Sequence, residues 1–371
     1  MTKSSRIRGW LHLGSWILAG IAYGYVIHTP VREGATRPPG LSVVSFLMLV
    51  GSSFFIWNVS QIWKGKERTP EPAAFLWLGS GILMAGAYAG DLGHRLTDPT
   101  QLSLISLRAP WLIERILRGS ADLLALGCLL HFVGRLLPCG ATHPRWIAKA
   151  LSILTFLGIV FAIGGGLVRP SSLPEPEWLD PLLDFLTIML TGIFVNMWVE
   201  RLEDPEKHGR NLDAEKVVLR WIRRACALVC MLDLILAIPG MGILRSTLLQ
   251  TAHTMGRLIG IHTLALFGYL IMILGETSGV PATTGRGKGS IRMMHGLAAC
   301  TLAMSICLAC RGLEMAYLQE YGLLAVSPPW ILRHFPAAFL TFGGTAGGIL
   351  MIFDLRLGYL ITRSLIAESE N

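Results

Sequence analysis

Long apolar runs recur along this chain, separated by shorter polar stretches. Ten of them, at 9–28, 41–63, 72–91, 111–136, 146–168, 181–200, 217–238, 249–275, 292–318 and 330–362, reach the ~20 residues an α-helix needs to cross a hydrocarbon core of roughly 30 Å. The pattern predicts an all-α, polytopic transmembrane bundle of about ten spans. It forms one integral membrane domain over 1–371, with spans one to six in 9–200, a cytoplasmic loop at 201–216 and spans seven to ten in 217–362. The last run is longer than one span requires. Pro336 near its start and Arg356 near its end favour a span followed by a helical extension.

The polar stretches organise the chain. Residues 201–216 are the longest polar insert, and a Gly/Thr-rich loop covers 276–290. On the opposite side, 92–110 and 169–180 are the main connections, the second too rich in proline to be helical throughout. No internal repeat of fixed period stands out. The first run follows basic residues but lacks a small-residue cleavage site, so it is expected to be a retained span.

Composition fits a lipid environment: 52% of residues are hydrophobic and 15% charged, against about 25% charged in a soluble domain. The net charge of +8 raises the question of nucleic acid, which the placement of the charges answers. With the N-terminus cytoplasmic, 21 of the 32 Lys and Arg fall on the cytoplasmic side and seven on the other, with Arg115, Arg118, Arg257 and Arg311 inside spans. That asymmetry is the positive-inside rule, giving both termini cytoplasmic and a multi-pass inner-membrane location. The partners expected are the lipid bilayer and other membrane subunits, not nucleic acid. The seven cysteines lie almost entirely in spans or on the cytoplasmic side, where no disulfide framework is expected.

Chemistry in such a chain resides in polar groups inside the spans, which are costly in lipid and face a bundle interior or cavity. Converted to depth at about 1.5 Å per residue, His28, His94, His253 and His334 gather at the outer face, His262 lies near mid-membrane, and His12, His131 and His295 lie toward the cytoplasm. Neutral imidazole is the commonest ligand of transition metals and of b-type haem iron. His253, His262 and His295 are therefore candidate haem ligands, and His28, His94 and His253 candidate metal ligands with copper in view. The alternative is that each imidazole bonds a neighbouring helix, since no tight His-x-x-x-His spacing occurs.

Span eight is the richest segment. His253 and Arg257 are four apart and share a face, whereas His262, nine residues on, points nearly opposite in an unbroken α-helix. Arg257, a permanent cation in a span, requires an anionic partner: a haem propionate, a carboxylate or a lipid phosphate. Gly256 and Gly260 permit close approach of a helix or a flat cofactor.

The stretch from His262 through Gly268, followed by Thr284-Gly285-Arg286 and a span ending near Arg311, resembles the C-terminal part of NnrS-type membrane proteins. More loosely it resembles the His-bearing helices of the haem-copper oxidase subunit I superfamily. The resemblance implies non-covalent haem b or copper and a place in electron transfer. Where the NnrS pattern has His-Thr-Gly-Arg, this chain has Thr283-Thr284-Gly285-Arg286. It also lacks the oxidases' His-Pro-Glu-Val-Tyr and paired His-His, so oxygen reduction at a binuclear centre is not implied.

Other groups offer alternatives. Glu114, Arg118 and Asp122 form an i,i+4 stripe in span four, either an ion or proton path or an ion-pair ladder between helices. Asp233 shares a face with Cys226 and Cys230. Asp184 lies near the start of span six, and Asp91 precedes His94. Cys307 and Cys310 have CxxC spacing, read as helix packing inside a span, and Arg311 with Glu314 is expected to form a local ion pair. Walker-type loops, nucleophile elbows and c-type haem attachment sites are absent. Three functions follow: a haem- or copper-bearing subunit of a respiratory assembly, a secondary transporter or channel, or a cofactor-free scaffold.

Overall fold

A computed structural model of the chain describes residues 11, 14–15, 17–23, 40–63, 72–96, 104–136, 145–168, 179–203, 213–238, 247–266, 268–269 and 287–321. The run at 330–362, most of the run at 9–28, the loops, and His12, His28, His143, His208 and His334 lie outside the described residues. Apart from residues 237–238 and 247, every described residue is helical, and none is in a strand. The helices are α1 (Gly40–Trp63), α2 (Pro72–Leu96), α3 (Leu104–Leu136), α4 (Arg145–Val168), α5 (Leu179–Glu203), α6 (Asp213–Leu236), α7 (Leu248–Arg257) and α8 (Gly287–Tyr321). A π turn at Leu258–Thr263 continues α7.

Among the described residues five helices, α1, α2, α3, α5 and α8, are long and apolar enough to cross a membrane, over Leu41–Gln61, Ala73–Leu96, Arg115–Gly134, Leu182–Leu202 and Met294–Tyr317. α6 is not among them, because Lys216, Arg220, Arg223 and Arg224 crowd its first half. The described surface is correspondingly apolar: Ile17, Ile21, Phe46, Trp57, Ile82, Phe156 and Met231 are each more than half exposed. Water-soluble proteins rarely show so much apolar surface, and together with the span lengths it marks an all-helical membrane protein.

Hydroxyl groups adapt to this environment by bonding their own helices. Ser52, Thr187, Thr191 and Thr301 each donate to the carbonyl four residues back at 2.8–2.9 Å. A hydroxyl so satisfied leaves no free donor facing hydrocarbon.

Two compact units make up the chain: Met1–Leu130 with Thr155–Leu173, and His131–Leu154 with Pro174–Asn371. In the first, α1 packs on α2, where Gly81 lies so close to Phe55 and Ile56 that an added Cβ would sit 2.9 Å and 2.8 Å from them. The Ser80 hydroxyl donates to the Ser120 carbonyl at 2.7 Å. Asp91 accepts from the Ser45 hydroxyl and from Arg95 Nε, the latter at 2.7 Å.

In the second unit α5, α6, α7 and α8 pack with α6 touching α5, α7 and α8. Facing positions fix the directions. On α6, Ala225 and Val229 lie against Gly260 and Gly256 of the α7 segment, and on α8, Thr301, Ser305 and Gly312 lie against Gly260, Gly256 and Leu249. Numbers rise on one helix as they fall on the next, so α7 runs antiparallel to both α6 and α8. Gly192 against Cys226 and Asn196 bonded to Arg223 set α5 antiparallel to α6 likewise. One end of this bundle therefore gathers the start of α5, the end of α6, the start of α7 and the end of α8.

Candidate functional site

The start of α7 is fixed before any chemistry is placed on it. Thr247 caps the helix, its hydroxyl oxygen accepting from the Leu249 backbone N–H at 3.2 Å, a cap worth about 1 kcal/mol. Leu249 and Ala252 are fully buried and join Leu232 and Leu236 of α6 with Ala309 and Ala316 of α8 in one apolar cluster. Gly312 lets α8 touch the α7 backbone, since an added Cβ would lie 2.8 Å from Leu249 Cα. α7 is thereby held on two sides, and its next turn carries His253 and Arg257 into the bundle.

Both find carboxylates. His253 Nε2 lies 2.8 Å from Asp233 Oδ1, with the two side chains 3% and 1% exposed. Arg257 Nη1 lies 2.8 Å from Asp184 Oδ2, the carboxylate side chain being 31% exposed. One coordinating atom from each of Asp184, Asp233 and His253 falls within 4.8 Å of the others. Among the described residues this is the sole grouping of three or more His, Cys, Asp or Glu so close. Asp233 Oδ2 and His253 Nδ1 are buried with no hydrogen-bond partner among the described residues.

Two carboxylates against one guanidinium leave the cluster at −1 with a neutral imidazole, and at zero with a protonated one. Taking such charges out of water costs several kcal/mol per ion, offset only by close pairing. The pairing here is close but incomplete, and Asp184 forms the one partly open side.

Arg257 thus has the carboxylate partner that its position demanded, in Asp184. The pairings were not legible in the sequence, although a signal existed. Two groups four apart on one helix each required a counter-charge, and Asp184 and Asp233 stand near the ends of α5 and α6 that the antiparallel packing brings to the same level. The shared helix face of Asp233 with Cys226 and Cys230 was legible from spacing, but His253 on another helix was not.

The other candidates lie elsewhere. His295, exposed on α8, accepts at Nδ1 from Trp221 Nε1 at 2.8 Å, with the rings edge to face, and Arg224 stacks over the same indole. The level of His253 on α8 is near Ala309, fourteen residues from His295, or about 20 Å at 1.5 Å per residue; the two do not share a site. His262 is half-buried within the π turn, whose wider winding removes the opposite-face relation to His253 expected of an unbroken α-helix. His94 is on α2 of the first unit, and His28 is outside the described residues.

Gly256 and Gly260 face α6 and α8. Beside them Trp221, Gly256, Gly260, Thr301 and Ser305 border a cavity of ≈ 10 Å³ for a water-sized sphere, room for about one water. Cys307 and Cys310 are free thiols, and Arg311 pairs with Glu314 as expected. Of the span-four stripe, Arg118 and Asp122 are part-buried on α3, and the Glu114 side chain is outside the described residues. Set against known families, curated proteins and solved structures, the chain matches none.

Proposed function

We propose that this protein is a secondary transporter of a small cation, with the Asp184, Asp233, His253 and Arg257 cluster as its ion site. In this reading the chain has about ten spans, both termini cytoplasmic, in a bacterial-type inner membrane. The observation that carries it is a buried cluster of two carboxylates, an imidazole and a guanidinium with unpartnered ligand atoms at one end of a helix bundle and a partly open carboxylate at its rim. Ionisable groups so placed in membrane proteins mark ion pathways. Electron transfer through a haem on His253 and His295 draws no support from their separation, and the Gly256–Gly260 face is taken up by helices rather than by a flat cofactor.

The test is flux. Protein reconstituted into liposomes with entrapped ion-sensitive dyes is challenged in turn with Na⁺, K⁺, Mg²⁺, Mn²⁺ and Zn²⁺ under an imposed potential. At least one cation enters wild-type vesicles, and Asp233→Asn slows it at least tenfold. That follows if the lost carboxylate contributes about 1.4 kcal/mol or more to holding the ion, tenfold in its binding. No entry of any cation above empty vesicles overturns the proposal.

A further inference from the structure

We propose that Asp184, Asp233 and His253 ligate a divalent transition-metal ion. As the identity of the transported cation this rests on the reading above, whereas as a binding site it stands on the geometry alone.

Ligand type comes first. Imidazole nitrogen with two carboxylates suits Zn²⁺, Mn²⁺, Co²⁺ or Fe²⁺, while Mg²⁺ and Ca²⁺ take oxygen ligands throughout. Spacing agrees. With metal–ligand bonds of about 2.0–2.2 Å, atoms on opposite sides of an ion are ~4.2 Å apart and adjacent ones closer. Neighbouring ligand atoms in a tetrahedral site lie about 3.4 Å apart, so the three atoms, within 4.8 Å of each other, draw in by up to roughly 1.4 Å on that basis.

A cluster of acidic groups alone would be no site. The additional observation here is that His253, 2% exposed, and Asp233, 1% exposed, each hold a coordinating atom without a hydrogen-bond partner, Nδ1 and Oδ2. A purely structural ion-pair network would be expected to satisfy them. An ion seated between the two carboxylates and the imidazole takes Asp233 Oδ2 as a ligand and turns that unmet requirement into a bond, with the imidazole nitrogen facing Asp233 as its nitrogen ligand.

Charge and access fit exchange rather than permanent residence. The two carboxylates match the charge of one divalent ion, Arg257 leaving the loaded site at +1, and three protein ligands leave coordination positions for water, as in open rather than closed sites. Arg257 holds Asp184 from outside the ligand set, as supporting partners orient ligands at metal centres. Its positive charge lowers affinity and so favours release. Asp184 is the part-exposed ligand, and the ion meets it first.

Cobalt is the probe, because its visible ligand-field bands report ligand type and number. Chelator-stripped full-length protein in detergent is titrated with Co²⁺. The expected result is one equivalent bound with bands displaced by Zn²⁺, and binding weakened at least about tenfold in Asp184→Asn and in His253→Ala. Asp184→Asn keeps an amide oxygen that can accept from Arg257 Nη1, so it is the variant expected to stay folded; size-exclusion elution and helical circular dichroism verify it. Absence of stoichiometric Co²⁺ binding by folded wild type, or cobalt bands unchanged in folded Asp184→Asn, overturns the site. Vesicles that pass only Na⁺ or K⁺, from protein that binds no Co²⁺, sink the metal site and leave the transporter. One equivalent of Co²⁺ without flux of any cation keeps the site and sinks the transporter.

Discussion

Asp184 and Arg257 differ in exposure, and that difference makes an ordered prediction. The guanidinium is 6% exposed at its side chain and the carboxylate 31%. Asp184→Leu takes the paired carboxylate from a cation sealed in the bundle, so the cost of breaking a buried pair, up to about 3–5 kcal/mol, bears on it most heavily. Arg257→Leu strands a carboxylate that retains some contact with its surroundings, so its cost falls below that range, at roughly 1–3 kcal/mol on the scale of an unsatisfied charged group. Replacing both removes the charges together, and apolar substitution of a buried pair is commonly close to neutral. The double variant is then expected within about 1 kcal/mol of wild type, with a coupling of ~2 kcal/mol or more between the two sites. Reversible unfolding in mixed detergent and SDS, followed by tryptophan fluorescence, gives all four stabilities on one axis. Additive single effects in the double variant, or Arg257→Leu costing more than Asp184→Leu, would refute the reasoning.

Two further outcomes are accessible. Gly312→Ala places a methyl against the Leu249 backbone, which cannot yield as a side chain can, so a loss of about 1–3 kcal/mol is expected from overpacking, read in the same unfolding assay; wild-type stability would contradict the close approach of α7 and α8. Oxidised and dithionite-reduced visible spectra of purified protein are expected to lack a b-type α-band. A reduced band abolished by His262→Ala would restore the electron-transfer reading instead.

The helices were largely legible in the sequence because lipid imposes a blunt requirement, about 20 apolar residues per crossing. α1, α2, α3, α5 and α8 satisfy it outright. The local pair Arg311 with Glu314 was legible too, since three residues separate its members on one helix. The site was half legible. His253 and Arg257 could be placed on one face from spacing alone, and Arg257 was known to need an anion. Which anion could not be read, because Asp184 and Asp233 reach it from other helices, through an arrangement that Gly256, Gly260 and Gly312 set by packing. Small residues carry that information weakly: the same spacing serves any close helix contact. His295 misled for a related reason. Its depth could be estimated, but not that Trp221 supplies its hydrogen bond.

α6 bears on how the protein enters its membrane in the first place. Its second half seals Asp233 into the bundle, yet its first half carries Lys216, Arg220, Arg223 and Arg224, and such charges oppose insertion, by up to about 2.5–3.5 kcal/mol each at the membrane centre and by less toward its faces. Hydrophobicity gives this segment little reason to leave the translocation channel alone. α5, which lies along it antiparallel and supplies Asn196 to Arg223, is strongly apolar and emerges from the ribosome earlier. The two are therefore expected to partition into lipid as a hairpin, so that Asp184 and Asp233 come to one level during synthesis, before α7 has been translated.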